Sequence, residues 1–338
     1  MNADIQKGSK VLITGATGFT GAVLARKLVE RGASVRAIAR PSSSLEALKD
    51  LQIDWIRGDV YDPATVAAAT RDVEYIFHVA AAYREAGIAD DIYRKVHVVS
   101  TQLLAEAALK CPSFNRFVHV STVGVHGHIE NPPADEEYPM QPGDIYQETK
   151  AEAEKWIRDF AGRNKLPFVV LRPAAIYGPG DKRLFKIFKM VTWPFFPILG
   201  RGRCLYHLVH VEDLTGIMML AATHPAAAGQ VFICGNPEPA SLEGIAATIA
   251  ETLGRRLRVL RIPAWPFFLA GDICEAVCKP LGIQPPIYRR RVAFFTKDRA
   301  FNTSKLRNLL GYSFKHTNES GLRQATEWYV ANGWLKKV

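Results

Sequence analysis

Short apolar runs and longer stretches with apolar residues three and four apart take turns along this chain. The runs cover 11–14, 34–39, 54–60, 74–81 and 116–122, and the helical spacing fills 22–28, 64–70 and 98–109, returning after Asp144. Strands of this length alternating with helices predict parallel pairing, with helices on both faces of one sheet. Further on the pattern is less regular. Positions 214–223, 242–253 and 322–330 read as helices, and 263–287 is apolar and aromatic. With no internal repeat or low-complexity linker, the expected architecture is α/β: a doubly wound parallel sheet with a smaller α/β C-terminal domain packed directly on it.

The first run breaks into glycines at Gly15, Gly18 and Gly21, with Thr17 and Phe19 between them, and then into a helix. Strand, glycine turn and helix in that order make a dinucleotide site of Rossmann type: glycines let the main chain approach a pyrophosphate, whose charge is favoured by the helix N-terminus. The second run ends Ala39-Arg40-Pro41-Ser42-Ser43-Ser44. An acidic residue at that place would bind the ribose 2′-OH of NAD, whereas an arginine accommodates the 2′-phosphate of NADP. Arg40 therefore predicts NADP(H) over NAD(H), with NAD(H) still possible. Asp59 and Val60 close the third run. Ala80 and Ala81 close the fourth, where small residues allow close approach by a nicotinamide ribose. His78, one step inside that run, reads as a packed core histidine.

Composition narrows the class. At 338 residues and 48% hydrophobic content the chain can bury a large core. Its five cysteines are scattered and include no CxxC pair, so neither a disulfide framework nor a metal site is expected. The first eight residues lack the basic start and apolar run of a signal peptide, and no apolar stretch reaches the length needed to span a bilayer. A cytoplasmic protein is expected. The net charge of +10 points to an anionic partner. Its basic residues are dispersed apart from Arg255-Arg256 and Arg289–Arg291, which read as solvated surface rather than as a nucleic-acid patch.

The fifth run stops at the hydroxyls Ser121 and Thr122, and the helix after Asp144 places Tyr146 and Lys150 four apart on one face. An ammonium beside a phenol stabilises the phenolate, which makes the phenol a usable acid or base near neutral pH. The glycine motif, the hydroxyl strand end and this Tyr/Lys pair, in this order, resemble an extended short-chain dehydrogenase/reductase. The likeness continues in 171–181, in His210-Val211-Glu212-Asp213-Leu214 and in 301–312, and so covers almost the whole chain. It implies Tyr146 as acid/base, Lys150 as its partner and a ribose ligand, and Thr122, five residues before Gly127, as the catalytic hydroxyl in place of Ser121. It adds Pro173 and Ile176 to the cofactor set. It divides the chain into a cofactor domain, 1–178 with 204–235, and a substrate domain, 179–203 with 236–338. It also implies dimerisation through helices near 98–109 and 151–161. Where the family usually has an asparagine, this chain has His97. Asp213 reads as the cap of a helix at 214–223, structural rather than catalytic.

Two substrate classes share these catalytic residues. One is a sterol- or lipid-like secondary alcohol or ketone, as in the 3β-hydroxysteroid and sterol-4α-carboxylate 3-dehydrogenase branch. The other is a sugar nucleotide, turned over by an epimerase or dehydratase that keeps its NAD. A third reading is an inactive cofactor-binding protein. Sugar-nucleotide enzymes commonly carry an arginine for the diphosphate at the place of Tyr206, and the segment 190–199, with Trp193, is apolar instead. This favours the hydrophobic substrate, with Tyr83, Thr122, Tyr146, Trp193 and Tyr206 lining its pocket and peripheral contact with a membrane surface.

Overall fold

The computed structural model describes residues 5–82, 89–200, 202, 204–278, 280 and 298–337. Six strands open the fold: β1 (Lys10–Thr14), β2 (Ser34–Ala39), β3 (Ile53–Arg57), β4 (Tyr75–His78), β5 (Arg116–Val120) and β6 (Phe168–Pro173). Four short strands follow, β7 (Ala175–Tyr177), β8 (Phe196–Leu199), β9 (Leu205–Tyr206) and β10 (Leu208–His210), and then β11 (Val231–Cys234). β11 completes a seven-stranded sheet of order β3-β2-β1-β4-β5-β6-β11 in which every pairing is parallel.

Two helical layers cover it. On one face α1 (Phe19–Glu30) sets the fully buried Leu24 and Leu28 against Val11, Ile13 and Phe77. On the other, α2 (Pro63–Ala69), α3 (Asp90–Arg94), α4 (Ser100–Ala108) and α5 (Ile145–Asn164) run along the sheet, where Leu104, Ala108 and Ile157 meet Leu12, Ile76 and Phe117. Strand positions alternate between the two cores, because both sheet faces are buried and successive side chains point to opposite sides. Each large side chain buried this way contributes about 1.5–3 kcal/mol.

The second core lies apart from the sheet. Here α6 (Phe185–Val191) precedes β8, α7 (Val211–Thr223) returns to the first core, and α8 (Leu242–Thr252) follows β12 (Ala240–Ser241). β13 (Val259–Ile262) pairs with β8, and α9 (Trp265–Cys278) comes next. Phe188, Phe196, Ile245, Ile249 and Tyr329, the last from the C-terminal helix Asn318–Ala331, fill this core. Segment 304–314, grouped by sequence with the second domain, instead buries Leu306 and Leu310 in the first core.

Several boundaries move. The helix expected at 98–109 starts at Asp90 and passes through a π-helical segment, Lys95–Val99, before α4. β3 stops at Arg57 and β4 at His78, because Asp59 O accepts from Asp62 N and Ala80 N donates to the Thr14 side chain, outside the ladder. α7 starts at Val211, not 214: its cap is His210, whose Nδ1 accepts from Glu212 N, so Asp213 lies inside the first turn and caps nothing there. Tyr83 and Arg289–Arg291 lie outside the described residues.

Candidate active site

In an all-parallel sheet every strand delivers its following loop to the same edge. The expected cofactor and catalytic residues stand on those loops or the last strand residues: Gly15 after β1, Arg40 after β2, Asp59 and Val60 after β3, Ala80 and Ala81 after β4, Thr122 after β5 and Pro173 at the end of β6. Strand order reverses between β1 and β4, and ligands of such sheets bind in the crevice there.

The glycine turn is built for close approach. Gly15 has φ +75°, and a Cβ on it would lie 2.9 Å from the Ala80 backbone. A Cβ on Gly21 would lie 2.1 Å from the Gly15 carbonyl oxygen, so α1 can pack on the turn only with glycine at both places. Gly18 caps α1 without a side-chain acceptor, and no acidic residue stands in the helix's first turn, so an anion placed there would meet its N–H groups without competition from a carboxylate of the helix. Thr17 and Gly18 are exposed at the tip, and Phe19 is half-buried. A dinucleotide pyrophosphate fits this cradle. Arg40 is exposed just beyond β2, and Arg57 Nη1 steadies its loop by donating to the carbonyls of Arg40 and Ser43, each at 3.1 Å. Ile176 is half-buried on β7.

Asp144 starts α5, its carboxylate accepting from Gln147 N at 2.9 Å. This fixes the turn that carries Tyr146. Lys150, one turn on, is fully buried; its Nζ donates to Val120 O at 2.9 Å, and burial lowers its pKa to about 8. Tyr146 is half-buried, its ring edge-on to His97 with centroids 5.4 Å apart. The Thr122 hydroxyl accepts from Gly124 N at 3.0 Å, which leaves its own proton for another acceptor. A Cβ on Gly124 would come within 3.2 Å of Thr122 Oγ1 and 3.3 Å of Gln147 Nε2, so the hydroxyl and the start of α5 flank one glycine. Ser121 is committed elsewhere: its Oγ donates to Glu154 Oε2 at 2.6 Å in the protein interior.

His97 is buried in the π segment. Its Nε2 accepts from Ala82 N at 3.1 Å, so the ring's proton sits on Nδ1 and goes to Thr149 Oγ1 at 2.8 Å. Burial and the nearby Lys150 charge hold its pKa down at about 2. The side chain thereby ties the end of β4 to the helix carrying Tyr146. His78 is enclosed, its Nδ1 paired with Thr14 Oγ1 at 2.7 Å and its pKa lowered by burial to about 3, as a core histidine.

Two buried networks support the site without a local sequence signal. Glu154 of α5 pairs with Arg172 of β6 at 2.6 Å, both almost wholly buried, and Arg172 Nη1 also donates to Glu136 O at 2.7 Å. Asp213, 0% exposed, accepts from Tyr312 Oη, Lys315 N, His316 N and His316 Nδ1. His210, Asp213 and His316 offer ligand-type atoms within 4.8 Å of one another. Four donors already fill the Asp213 carboxylate, so the cluster joins α7 to the C-terminal segment. Of the substrate-pocket residues, Trp193 is half-exposed after α6, whereas Tyr206 packs in the second core and pairs with Ala240.

Comparison with known proteins agrees with this geometry. The model of the NAD dependent epimerase/dehydratase family matches residues 11–235. The chain is 30% identical over 340 residues, 95% of its length and 90% of the relative's, to a Mycobacterium tuberculosis protein named 3 beta-hydroxysteroid dehydrogenase/Delta 5-->4-isomerase. The crystal structure of gox2253 superposes with a TM-score of 0.84 at 26% identity, covering 97% of this chain and all of that one. UDP-glucose 4-epimerase from Thermotoga maritima has a TM-score of 0.75 at 21% identity over 96% of this chain and 99% of its own, which shows a common fold.

Proposed function

Since the chain belongs to the NAD dependent epimerase/dehydratase family, we propose that it is an NAD(P)-dependent oxidoreductase acting on the secondary alcohol or ketone of a hydrophobic, sterol- or lipid-like substrate. The observation that carries the reading is Tyr146 and the buried Lys150 one turn apart on α5, with Lys150 Nζ on the carbonyl of Val120, two residues before Thr122 at the sheet edge that also holds the glycine turn. A bound nicotinamide supplies or takes the hydride at the substrate carbon. Tyr146 passes the proton to or from the substrate oxygen, Thr122 orients that oxygen, and the Lys150 ammonium lowers the cost of the phenolate. The hydrophobic substrate is supported by similarity along nearly the full chain to a protein named as a hydroxysteroid dehydrogenase. A net reductase consumes one reduced nicotinamide per turnover and releases it. Absorbance of the reduced cofactor against a panel of apolar ketones tests this. Tightly held NAD, with sugar-nucleotide interconversion and no net consumption, would assign the chain to the epimerase branch instead.

Arg40 favours NADP(H) over NAD(H), because a guanidinium complements a 2′-phosphate and Ala39 brings no competing carboxylate. Arg40→Ala should weaken NADP(H) binding by roughly 10–100-fold, as expected for a lost charged hydrogen bond, and leave NAD(H) unchanged. Titration of both cofactors against both proteins checks it; equal weakening of the two removes Arg40 from this role.

His97 acts as a positioning residue rather than a proton relay, because its ring is held neutral with both nitrogens engaged. His97→Ala should lower kcat by roughly 10-fold through misplacement, with no change in the acid limb of the pH–rate profile. A displaced acid limb would show that His97 itself titrates in turnover.

A further inference from the structure

We propose that the face of α9, with the adjoining β8/β13 edge, is a docking surface for an anionic lipid bilayer; this rests on the reading of the substrate as hydrophobic. Trp265, Leu269, Ile273 and Val277 are four apart, and at 100° per residue they sweep an arc of about 120° on the helix. With Trp193, Phe195 and Leu260 they make seven large apolar side chains that are each between 49% and 69% exposed.

The two parts are joined through the chain. Phe196 of β8 pairs with Val259 of β13, Leu260 lies beside Pro197, and α9 starts three residues after β13 ends. Pro266 and Ala276 fall within that arc, Ala270 and Asp272 each lie about 20° beyond one of its edges, and Glu275 lies farther round the helix. Ala270, Ile273, Cys274, Val277 and Cys278 line an open apolar groove. A surface helix normally turns such a stripe to the core and its charges to water; this helix buries Gly271, half-buries Phe267 and Phe268, and leaves Trp265, Leu269, Ile273 and Val277 exposed. An exposed apolar helix stripe with an apolar groove beside it marks an interaction site.

Charge decides the occupant. Residues 182–197 carry Lys182, Arg183, Lys186 and Lys189 and no acid, and residues 253–271 carry Arg255, Arg256, Arg258 and Arg261 and no acid. Arg183 and Arg261 are paired with Asp181 and Glu243, whereas Lys182, Lys186, Lys189, Arg256 and Arg258 are exposed and in no ion pair among the described residues. Apolar side chains flanked by cations, with two tryptophans among them, match the headgroup boundary of an anionic membrane, where amphipathic helices lie flat and tryptophan rings sit at the interface. No described helix is long and apolar enough to cross a membrane, so the contact is peripheral. A substrate that partitions into lipid would meet the protein at the same surface.

The test is sedimentation of the full chain with sucrose-loaded vesicles of phosphatidylcholine alone, or of phosphatidylcholine mixed with phosphatidylglycerol. The comparison protein is a Leu269→Glu/Ile273→Glu variant. Wild type should pellet with the anionic vesicles far more than with the neutral ones, less so as salt is raised, and the variant's partitioning should fall about tenfold or more. Both residues are exposed, so melting temperature and cofactor affinity should match wild type, as should turnover of a short, water-soluble ketone. That soluble assay reports the active site alone, so a failure of the enzyme reading shows there and a failure of the membrane reading shows only in the pellet. Wild type that stays in the supernatant with both vesicle types overturns the proposal, as does a variant that pellets equally. A wild-type dimer that the variant converts to monomer, without vesicle binding, overturns it in favour of a second copy on this face.

Discussion

Tyr146→Phe is expected to lower turnover by roughly 10²–10⁴-fold, the loss typical of a missing general acid or base, with cofactor affinity nearly unchanged. The substitution keeps the ring, so the edge-on contact with His97 at 5.4 Å survives and α5 keeps its position. What is removed is the one proton that must reach the substrate oxygen as carbon is reduced. Lys150 sets the pH range. Its pKa is lowered to about 8 by burial, so it is charged at neutral pH and loses its proton as the pH rises through about 8. Below that value the ammonium eases deprotonation of Tyr146; above it the support fades, and wild-type oxidation of an alcohol should stop gaining from rising pH. Lys150→Met should abolish this dependence while keeping the side chain's bulk. Steady-state kcat across pH with saturating cofactor, together with cofactor binding measured by fluorescence, separates the outcomes. If Tyr146→Phe retains near-wild-type turnover, another group carries the proton. If it loses cofactor affinity to the same extent as turnover, the residue is a binding rather than an acid/base group.

The parts of this site that were readable from sequence are local. The glycine turn announces itself because Gly15 and Gly21 each face backbone that a Cβ would strike, and contacts of that kind select one residue type at fixed spacing. Tyr146 and Lys150 are one helical turn apart, so spacing alone puts them on a common face. The parallel sheet follows from strand–helix alternation, and the family resemblance, supported by the match over residues 11–235, extends it. What stayed hidden depends on partners far away in the chain. Asp213 looks like a helix cap until Tyr312, Lys315 and His316 arrive from about a hundred residues later to fill its carboxylate. The start of the helix at Asp90 was masked for a similar reason: its π segment shifts the apolar spacing, and only the tethers from His97 to Ala82 and Thr149 make that register useful. Ser121 and Thr122 are equivalent as letters. The Glu154 carboxylate engages Ser121 and leaves Thr122 at the sheet edge.

That carboxylate is also where the largest loss of stability is expected. Glu154→Gln should destabilise the fold by about 3–5 kcal/mol, because it leaves the Arg172 charge buried without its counter-ion. The pair is 2.6 Å apart with 1% and 0% side-chain exposure, so water cannot replace the missing partner. Arg172 keeps two contacts, its donation to Glu136 O at 2.7 Å and its approach to His126 Nε2 at 3.2 Å, but neither carries the opposing charge. The surface pair Arg163–Asp159 serves as the control: both partners are about two-thirds exposed, and Asp159→Asn should cost at most about 1 kcal/mol. Urea titrations of the three proteins read the difference as a shift of midpoint at constant slope. The double substitution Glu154→Leu/Arg172→Met removes both charges and should be less destabilised than Glu154→Gln alone, since the cost lies in the unpaired guanidinium rather than in the loss of an attraction. A Glu154→Gln protein as stable as wild type would mean that Arg172 finds compensation elsewhere. A double variant worse than the single would place the energy in the ion pair itself. Turnover adds a second readout, because Glu154 binds Ser121, the neighbour of Thr122, and stands one turn beyond Lys150 on α5. If the network only stabilises the fold, kcat of the folded fraction stays at its wild-type value; if it also fixes the register of β5 against α5, kcat falls in the single variant even where the protein is fully folded.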